Sequence, residues 1–429
     1  MTIYELYALF LIHQSVTTDS RHCPPDSLFF AIKGEKFDGH DFVEKALQAG
    51  CAYAIVENDV MVAGKRVIAV ENVLSTLQHL ARIHRETLGI PVIGITGTNG
   101  KTTTKELVAA VLMQKYNVLY TLGNLNNHIG VPLTLLRLKR EHEMAIIEMG
   151  ANHPGEIAAL AALCGPDYGL ITNVGYAHLE GFGSLEGVIK TKGELYDYLR
   201  KTNGTVFIHR DNDHLTSIAY GLRKIMYGAT DLADISGRAI TSLNPCLSFA
   251  WHCSPDKQYT VNTNLVGNYN LSNALAAIAI GVYFNVPVRK INEAIANYKP
   301  ANNRSQLQKT KFNELVIDAY NANPSSMQAA LENFANRSYV FKAVILGDML
   351  ELGEKSRELH TMIIKQIEAY DFEKVLLCGE QFSCVGQPYN CFPTVEKLND
   401  YLRCNPLHGY CILIKGSRAV QLEKTIGFL

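Results

Sequence analysis

Along the chain, short apolar runs alternate with stretches in which apolar residues recur at helical spacing. The clearest example is a mainly β-branched run at 92–96, which predicts a buried strand. Glycines interrupt the pattern directly after this run, and apolar residues then recur at helical spacing from Leu107 to Leu112. This stretch therefore predicts a strand, a glycine-rich loop and a helix, in that order.

The same pattern continues further along the chain. Additional apolar runs predict strands at 118–120, 144–149, 169–174 and 205–208. Strands that alternate with helices are typical of a mostly parallel sheet whose two faces are covered. In such sheets, ligands bind at the carboxyl ends of the strands.

Changes in composition indicate more than one domain. A predicted strand and a charged loop between Gly34 and Gly39 indicate a small α/β unit whose loops could hold a polar ligand. The polar stretch 297–304 is typical of a linker, and a third set of apolar runs follows it. We therefore expect three α/β domains, at 1–84, 85–300 and 301–429. The central domain would contain a P-loop-type nucleotide site in a mostly parallel sheet, and the C-terminal domain would be Rossmann-like.

The loop after the run at 92–96 has the composition of a phosphate-binding loop. It comprises Gly97, Thr98, Asn99, Gly100, Lys101, Thr102 and Thr103. Glycines let backbone N–H groups turn toward a phosphate, and the helix start adds N–H donors and a positive dipole end. Lys101 would bind the outer phosphates, and a threonine hydroxyl would bind Mg2+. The strict nucleotide-loop pattern requires glycine where Ile95 stands, so a glycine-rich turn that binds nothing remains the alternative.

Polar residues also follow two other predicted strands. Glu148 ends one strand, and His178 comes shortly after another. A carboxylate and an imidazole beside a phosphate loop are suitable ligands for a cation that bridges nucleotide phosphates. Either residue alone is more often a solvated or hydrogen-bonded residue, but their shared position favours a metal site. Lys190 and Lys192 lie two residues apart on the next predicted helix, so at most one of them faces this site.

Two later segments supply further candidates. Asn270 and Asn273 precede an alanine-rich helix, where they could bind a base through their amides or cap the helix. The third domain carries polar residues at the ends of its predicted strands, as expected for a ligand-facing sheet edge. These residues are Asp318, Tyr320, Asn321, Asn323, Lys415 and Arg418. Surface charge is the alternative interpretation for Lys415 and Arg418.

Composition narrows the possible functions. The 429 residues are 47% apolar and 19% charged, with a net charge of −1, so no broad attraction to nucleic acid or membrane is expected. No apolar run approaches the roughly 18 residues of a transmembrane helix. The ten cysteines lack CxxC pairs, which favours buried thiols in a reducing compartment. We therefore expect a cytoplasmic protein.

The order of the motifs closely resembles that of the Mur ligases. The motifs of the central segment are Gly97 to Thr102, Gly123 to Asn127, Glu148-Met149-Gly150 and Ala177 to Phe182. Motifs in the third segment resemble the motifs of those family members that join D-alanyl-D-alanine to UDP-N-acetylmuramoyl-tripeptide. They are Tyr320 to Pro324, Leu346 to Gly353 and Lys415 to Arg418.

The resemblance implies a monomeric, ATP-dependent amide ligase of peptidoglycan precursor synthesis. The first domain would hold the uridine nucleotide, the second would hold ATP, and the third would hold the dipeptide. Mg2+ would be held by Thr102, Glu148 and His178. ATP would also be contacted by Lys101, Asn270, Asn273, Arg304 and Asp318. Residues implied in substrate binding are Ser20, Arg21, Asn126, Asn127, Tyr320, Asn321, Asn323, Lys415 and Arg418.

The family also carries a carbamylated lysine that binds a second Mg2+. Comparison of the segment from Lys192 to Leu195 with that position favours Lys192 over Lys190. Two residues depart from the usual family pattern, because His209 stands where asparagine is usual and Tyr269 where histidine is usual.

Other functions remain open at this point. A sibling ligase that adds a single amino acid, or a folate polyglutamate ligase, would share the ATP core. A nucleotide-switch protein would keep the phosphate loop without needing two further ligand domains. A plain phosphotransferase is the least favoured, since nothing in the sequence marks a hydroxyl acceptor.

Overall fold

In the computed structural model, three α/β regions follow one another along the chain. The structure describes residues 1–34, 37–58, 64–241, 245–301 and 303–429. Two residues of the predicted loop between Gly34 and Gly39, and Asn302 of the stretch 297–304, lie outside these ranges.

The first region is a small parallel sheet with helices packed on it. Among the described residues its strands pair in chain order: β1 Val16–Thr17, β2 Leu28–Phe30, β3 Tyr53–Glu57 and β4 Val67–Val70. Its helices are α1 Ile3–His13, α2 Val43–Gln48 and α3 Val73–Leu88, with a 3-10 turn at Gly39–Phe42. Helix α3 crosses residue 84, and its buried Leu77 and Leu80 belong to a core that also contains Val92 and Leu135 of the second region. The domain limit at 84 therefore remains a proposal.

The second region contains the largest sheet. Its described strands are β5 Val92–Thr96, β6 Val118–Tyr120, β7 Met144–Glu148, β8 Tyr168–Ile171, β9 Thr205–His209, β10 Arg223–Gly228, β11 Ile235–Ile240, β12 Cys246–Ser254 and β13 Lys257–Val266. They lie in the order β13-β12-β11-β10-β9-β8-β5-β7-β6, parallel from β6 to β11 and antiparallel from β11 to β13. The predicted strand at 169–174 ends earlier, at Ile171, where the chain turns toward the phosphate loop.

Helices cover both faces of this sheet. They are α4 Lys101–Leu112, α5 Gly130–Leu135, α6 Glu156–Cys164, α7 Leu179–Phe182, α8 Leu185–Lys201, α9 Asp213–Ile218, α10 Leu271–Tyr283 and α11 Val288–Asn297. The strand β5 is buried at every position because α4 and α10 pack on one side of the sheet and α8 on the other. The prediction of a mostly parallel sheet with covered faces is therefore confirmed.

The third region is a second open sheet with the Rossmann-like arrangement expected. Its described strands are β14 Gln306–Lys309, β15 Glu314–Asp318, β16 Lys342–Gly347, β17 Lys374–Cys378, β18 Asn390–Phe392 and β19 Cys411–Lys415. They lie in the order β14-β15-β19-β16-β17-β18, and only β14 is antiparallel to its neighbour among these strands. The helices are α12 Pro324–Ala335, α13 Ser356–Glu368, α14 Glu380–Val385 and α15 Val395–Cys404. Short 3-10 segments of this region lie at Gly353–Lys355, Arg418–Val420 and Leu422–Phe428, and one of the second region lies at Asn268–Asn270, directly before α10.

Two sequence expectations concern the surface of the molecule. Within the described ranges, no helix combines the length and the apolar character needed to cross a bilayer. The expectation of buried thiols is wrong for Cys253, Cys384 and Cys404, whose residues are exposed. Cys253 lies near the end of β12, and Cys384 and Cys404 lie on the helices α14 and α15, whereas Cys378 and Cys411 lie in the central strands β17 and β19 and are buried.

Candidate active site

The loop between β5 and α4 turns tightly, with two glycines at its bends. Gly97 and Gly100 have φ angles of 142° and 78°, in the region that glycine adopts without strain. A Cβ atom on Gly97 would lie 2.0 Å from Thr172 Oγ1, so this position also depends on a close approach to the end of β8. The loop is held from that side, because the backbone N–H of Asn99 donates to Asn173 Oδ1 at 2.9 Å.

Lys101 begins helix α4 and folds back over the loop. Its Nζ donates to the carbonyl oxygens of Gly97 at 2.7 Å and Thr98 at 3.0 Å. Burial lowers the pKa of Lys101 to about 8; the nearby carboxylate of Glu148 opposes this shift and the charge of Arg304 adds to it. A phosphate at the loop would add a negative charge that offsets the desolvation of this ammonium.

A buried carboxylate lies at the floor of the site. Glu148, the last residue of β7, is 1% exposed, and its Oε1 accepts from Thr102 Oγ1 at 3.2 Å and Asn126 Nδ2 at 2.8 Å. The second oxygen, Oε2, has no hydrogen-bond partner among the described residues. Mg2+ is usually held by one or two carboxylates together with substrate phosphates, so a buried carboxylate beside a threonine hydroxyl fits this ion. The described residues contain no group of three His, Cys, Asp or Glu side chains arranged around a common point.

His178 lies where the second and third regions meet. It has a left-handed backbone conformation, with φ 49°, and its Nδ1 lies in direct contact with Oε2 of Glu351. The hydrogen bond from His178 lowers the pKa of Glu351. Glu351 also has a positive φ, of 61°, and its carbonyl oxygen accepts from the backbone N–H of Glu180. In this structure the imidazole therefore joins the two regions.

The two lysines of helix α8 have different environments. Lys192 is 2% exposed, and its Nζ donates to the carbonyl oxygen of Ala151 at 3.2 Å and lies 5.2 Å from the centre of the Phe182 ring. Burial lowers the pKa of Lys192 to about 7, and the charge of Lys101 adds to the shift. Lys190 is exposed on the other side of the helix. The structure therefore directs Lys192, and not Lys190, toward the site.

Asn270 and Asn273 are largely used within the protein. Asn273 Nδ2 donates to Asn270 Oδ1 at 2.9 Å, and Asn270 Nδ2 donates to the carbonyl oxygen of Val266 at 2.8 Å. Asn273 Oδ1 accepts from Thr104 Oγ1 at 3.0 Å, which links the start of α10 to α4. Both residues line the site, although their amides already have protein partners.

The third region contributes charged groups to the same space. Lys415 Nζ donates to Asp318 Oδ2 at 2.5 Å, and Lys415 is 1% exposed, which excludes surface charge as its explanation. The guanidinium of Arg304 lies 3.7 Å from the centre of the Tyr320 ring, and that of Arg418 lies 5.4 Å from it. Contact of a cation with the face of the tyrosine ring is favourable because that face is negative.

A direct contact joins the third region to the phosphate loop. Asn323 Nδ2 donates to Asn99 Oδ1 at 2.7 Å, and Asn323 Oδ1 caps helix α12 by accepting from the N–H of Ser326. The phosphate loop and the third sheet are therefore linked through one asparagine pair.

These residues surround a cavity of about 570 Å³. The predicted residues that line it are Thr98, Asn99, Gly100, Lys101, Thr102, Thr103, Asn126, Asn127, Glu148, His178, Asn270, Asn273, Arg304, Asp318, Tyr320, Asn321, Asn323 and Lys415. Gly97, Lys192 and Arg418 lie behind or beside this lining. Strand-end residues of two different sheets thus meet in one space.

Ser20 and Arg21 are not part of this cavity. They lie in the turn after β1, where the guanidinium of Arg21 donates to both carboxylate oxygens of Asp19 at 2.8 and 2.9 Å. The side chain of Arg21 is 82% exposed. These two residues therefore mark a separate surface of the first region.

Among the residues at the site to which sequence reasoning assigned no role, two contact its charged groups. One is Glu351, whose contact with His178 depends on the packing of two regions. The other is Lys105, a fully buried lysine of α4. Its position three residues after Thr102 and four after Lys101 places it on the same face of the helix, and this spacing was the available signal.

Comparison with known proteins shows similarity over nearly the whole chain. Residues 12–98, 95–281 and 303–418 match the patterns of the Mur ligase family catalytic domain, the Mur ligase middle domain and the Mur ligase glutamate ligase domain, respectively. The chain is 34% identical to UDP-N-acetylmuramoyl-tripeptide--D-alanyl-D-alanine ligase of Bacillus subtilis, covering 98% of this chain and 93% of that protein.

Solved structures give the same picture. MurF from Acinetobacter baumannii superposes with a TM-score of 0.87 at 30% identity, covering 96% of this chain and 92% of that one. MurF ligase from Thermotoga maritima, solved in complex with ADP, superposes with a TM-score of 0.86 at 28% identity, covering 97% of each chain.

Proposed function

Because the chain belongs to the Mur ligase family, we propose that it is an ATP-dependent ligase that joins D-alanyl-D-alanine to UDP-N-acetylmuramoyl-tripeptide. One observation carries this proposal beyond family membership. The phosphate loop, the buried Glu148 and the charged residues of the third region line a single cavity. A reaction that transfers a phosphoryl group and then forms an amide bond needs these elements in one place.

In the proposed reaction, the terminal carboxylate of the UDP-linked tripeptide attacks the γ-phosphorus of ATP, giving an acyl phosphate and ADP. The amine of the dipeptide then attacks the acyl carbon, and phosphate leaves from the tetrahedral intermediate. A carboxylate resists amine attack because its leaving group would be oxide, and phosphorylation removes this obstacle.

Lys101 and Arg304 are proposed to bind the phosphates during transfer. Phosphoryl transfer depends mainly on positioning and on neutralising the developing charge, and both side chains are cations at the same cavity. Mg2+ bound to the phosphates would neutralise further charge. Thr102 and Glu148 would hold this ion, and His178 would also reach it if its contact with Glu351 were broken.

Lys192 is proposed to be carbamylated and to hold a second Mg2+. CO2 adds to a neutral amine, releasing a proton and forming a carboxylate-like group whose oxygens suit Mg2+. A pKa near 7 means that a large fraction of Lys192 is neutral at neutral pH, which favours this addition.

The substrate contacts are proposed from position. Ser20 and Arg21, in the first region, would bind the uridine nucleotide, while Asn126 and Asn127 would meet the peptide end of that substrate at the cavity. Tyr320, Asn321, Asn323, Lys415 and Arg418 would position the dipeptide. Asn270, Asn273 and Asp318 would contact the nucleoside of ATP. Since one chain supplies the whole cavity, we propose a monomer, acting in the cytoplasm where ATP and the UDP-linked precursor are available.

The proposal is tested by measuring phosphate release with ATP, Mg2+ and UDP-N-acetylmuramoyl-tripeptide. Parallel reactions contain D-alanyl-D-alanine, single amino acids, or no acceptor. We expect release that depends on the dipeptide, together with a pentapeptide product identified by mass. Release driven by a single amino acid would instead indicate a sibling ligase, and release indifferent to every acceptor would contradict a ligase function.

A further inference from the structure

Behind the candidate metal site lies a lysine with an unusual environment. Lys105, on helix α4, is 0% exposed, and its Nζ has no hydrogen-bond partner among the described residues. The ammonium lies 3.7 Å from Glu148 Oε2 and 3.7 Å from Glu106 Oε1, and 5.8 Å from the centre of the Tyr120 ring. The oxygen it faces on Glu148 is the one that lacks a hydrogen-bond partner.

A buried pair of charges without a hydrogen bond, such as Lys105 and Glu148, is not expected to stabilise the fold. Removing an ammonium and a carboxylate from water is costly, and a buried pair recovers that cost only with good hydrogen bonds. An apolar side chain of similar length would fill the same space without the desolvation penalty. The positive charge at Lys105 therefore calls for an explanation other than packing.

The position of Lys105 supplies that explanation. Thr102 and Asn126 hold Glu148 Oε1, and Lys105 faces Oε2, so the carboxylate is restrained from two sides. Lys105 also shares the helix face of Thr102, so the hydroxyl and the ammonium approach Glu148 from a single rigid element. Without Lys105, the carboxylate could rotate about its last side-chain bond and lose its orientation toward the cavity.

We propose that Lys105 is a positioning residue that orients the Glu148 carboxylate and thereby couples the binding of a divalent cation to the binding of a nucleoside diphosphate. This inference rests on the proposed function, which assigns Glu148 to Mg2+. Lys105 itself is not among the residues that line the cavity, so in this proposal it acts through Glu148.

The test measures ADP affinity of the full-length protein by calorimetry, once with excess Mg2+ and once with EDTA. The ratio of the two dissociation constants reports the coupling between cation and nucleotide. We expect Lys105→Met to reduce this ratio by about 10-fold or more, as is typical when a residue that orients a metal ligand is removed. The affinity in EDTA should stay within about 2-fold of the wild-type value.

Glu106→Gln provides the matched control. It removes the other carboxylate near Lys105, whose Oε2 accepts from the hydroxyl of Tyr298, and leaves Glu148 unchanged. The wild-type ratio is expected for this variant. If Lys105→Met does not fold, as judged by circular dichroism and thermal unfolding, Lys105→Gln retains a polar end group and is measured in its place.

Three results would overturn the inference. The first is a Lys105 variant whose ratio of ADP dissociation constants equals that of the wild type, and the second is a Lys105 variant that loses ADP affinity equally with and without Mg2+. The third is a Glu106→Gln variant whose ratio falls as much as that of the Lys105 variant. Each leaves the proposed function intact. If the ADP affinity of the wild-type protein does not depend on Mg2+, the proposed cation site is wrong, and so is this inference.

Discussion

At the scale of single residues, burial decides which side chains can do chemistry. Lys190 and Lys192 are two positions apart on one helix, yet only Lys192 is buried, beside a carbonyl group that lines the cavity. Desolvation lowers the pKa of Lys192 to about 7, whereas an exposed lysine remains a hydrated cation. The residue type and the position on the helix are therefore insufficient to decide which of the two lysines takes part in the chemistry of the site.

This difference gives a prediction with a built-in control. Lys192→Met, which keeps the length of the side chain and removes the amine, should lower kcat of the ligase reaction by about 10²-fold, because the proposed metal ligand is lost. Lys190→Met should leave kcat unchanged. Steady-state phosphate release measures both variants, and thermal unfolding checks that they fold. Similar kcat values for the two variants would contradict the role proposed for Lys192.

At the scale of elements, the loop from β5 to α4 depends on its contact with the end of β8. Gly97 sits so close to Thr172 that no side chain fits between them without movement. We expect Gly97→Ala to displace the phosphate loop and to lower kcat/KM for ATP on the order of 10²-fold, since small displacements of a positioning element are costly. Overpacking should also reduce the free energy of unfolding by about 1–3 kcal/mol.

The chain offers a matched glycine for this test. An added Cβ atom at Gly427 would meet no atom within 4 Å, so Gly427→Ala should leave kcat/KM and stability unchanged. Kinetics at varied ATP concentration and chemical denaturation measure both variants. Wild-type kcat/KM for Gly97→Ala would show that the loop does not depend on this contact.

At the scale of the whole molecule, the site exists because two sheets present their ends to the same cavity. The pair Asn323–Asn99 joins the third region to the phosphate loop across 224 positions of sequence. Asn323→Asp should keep the cap of helix α12, because aspartate caps as well as asparagine. The new carboxylate would stand beside the loop that is proposed to hold phosphates, so kcat/KM for ATP should fall at least about 10-fold.

Asn323→Ser separates the two possible causes of such a loss. Serine also caps a helix but introduces no charge, so its kcat/KM should lie between those of the wild type and Asn323→Asp. Thermal unfolding should give similar midpoints for all three proteins. Wild-type kinetics for Asn323→Asp would argue against a phosphate near this residue.

The sequence by itself determined the local architecture. Periodic apolar positions, glycines and strand-end polar residues predict the strand–loop–helix unit at Val92–Leu112 and the mostly parallel sheet, because these signals depend on neighbours in sequence. The same reasoning selected the phosphate loop, Glu148, His178 and the strand-end residues of the third region, since strand ends of a parallel sheet share one edge, whereas Asn126, Asn127 and Arg304 were assigned only through the family resemblance. Strand limits were less accurate, as at Ile171, because tertiary contacts with the phosphate loop end that strand.

Only the tertiary structure decided which side chains are buried and which distant groups meet. The pairing of Lys105 with Glu148 and of His178 with Glu351, and the use of Asn270 and Asn273 within the protein, have no pattern in the sequence. The physical reason is that desolvation and contact depend on packing between segments far apart in the chain, whereas periodicity records only which face of an element is apolar.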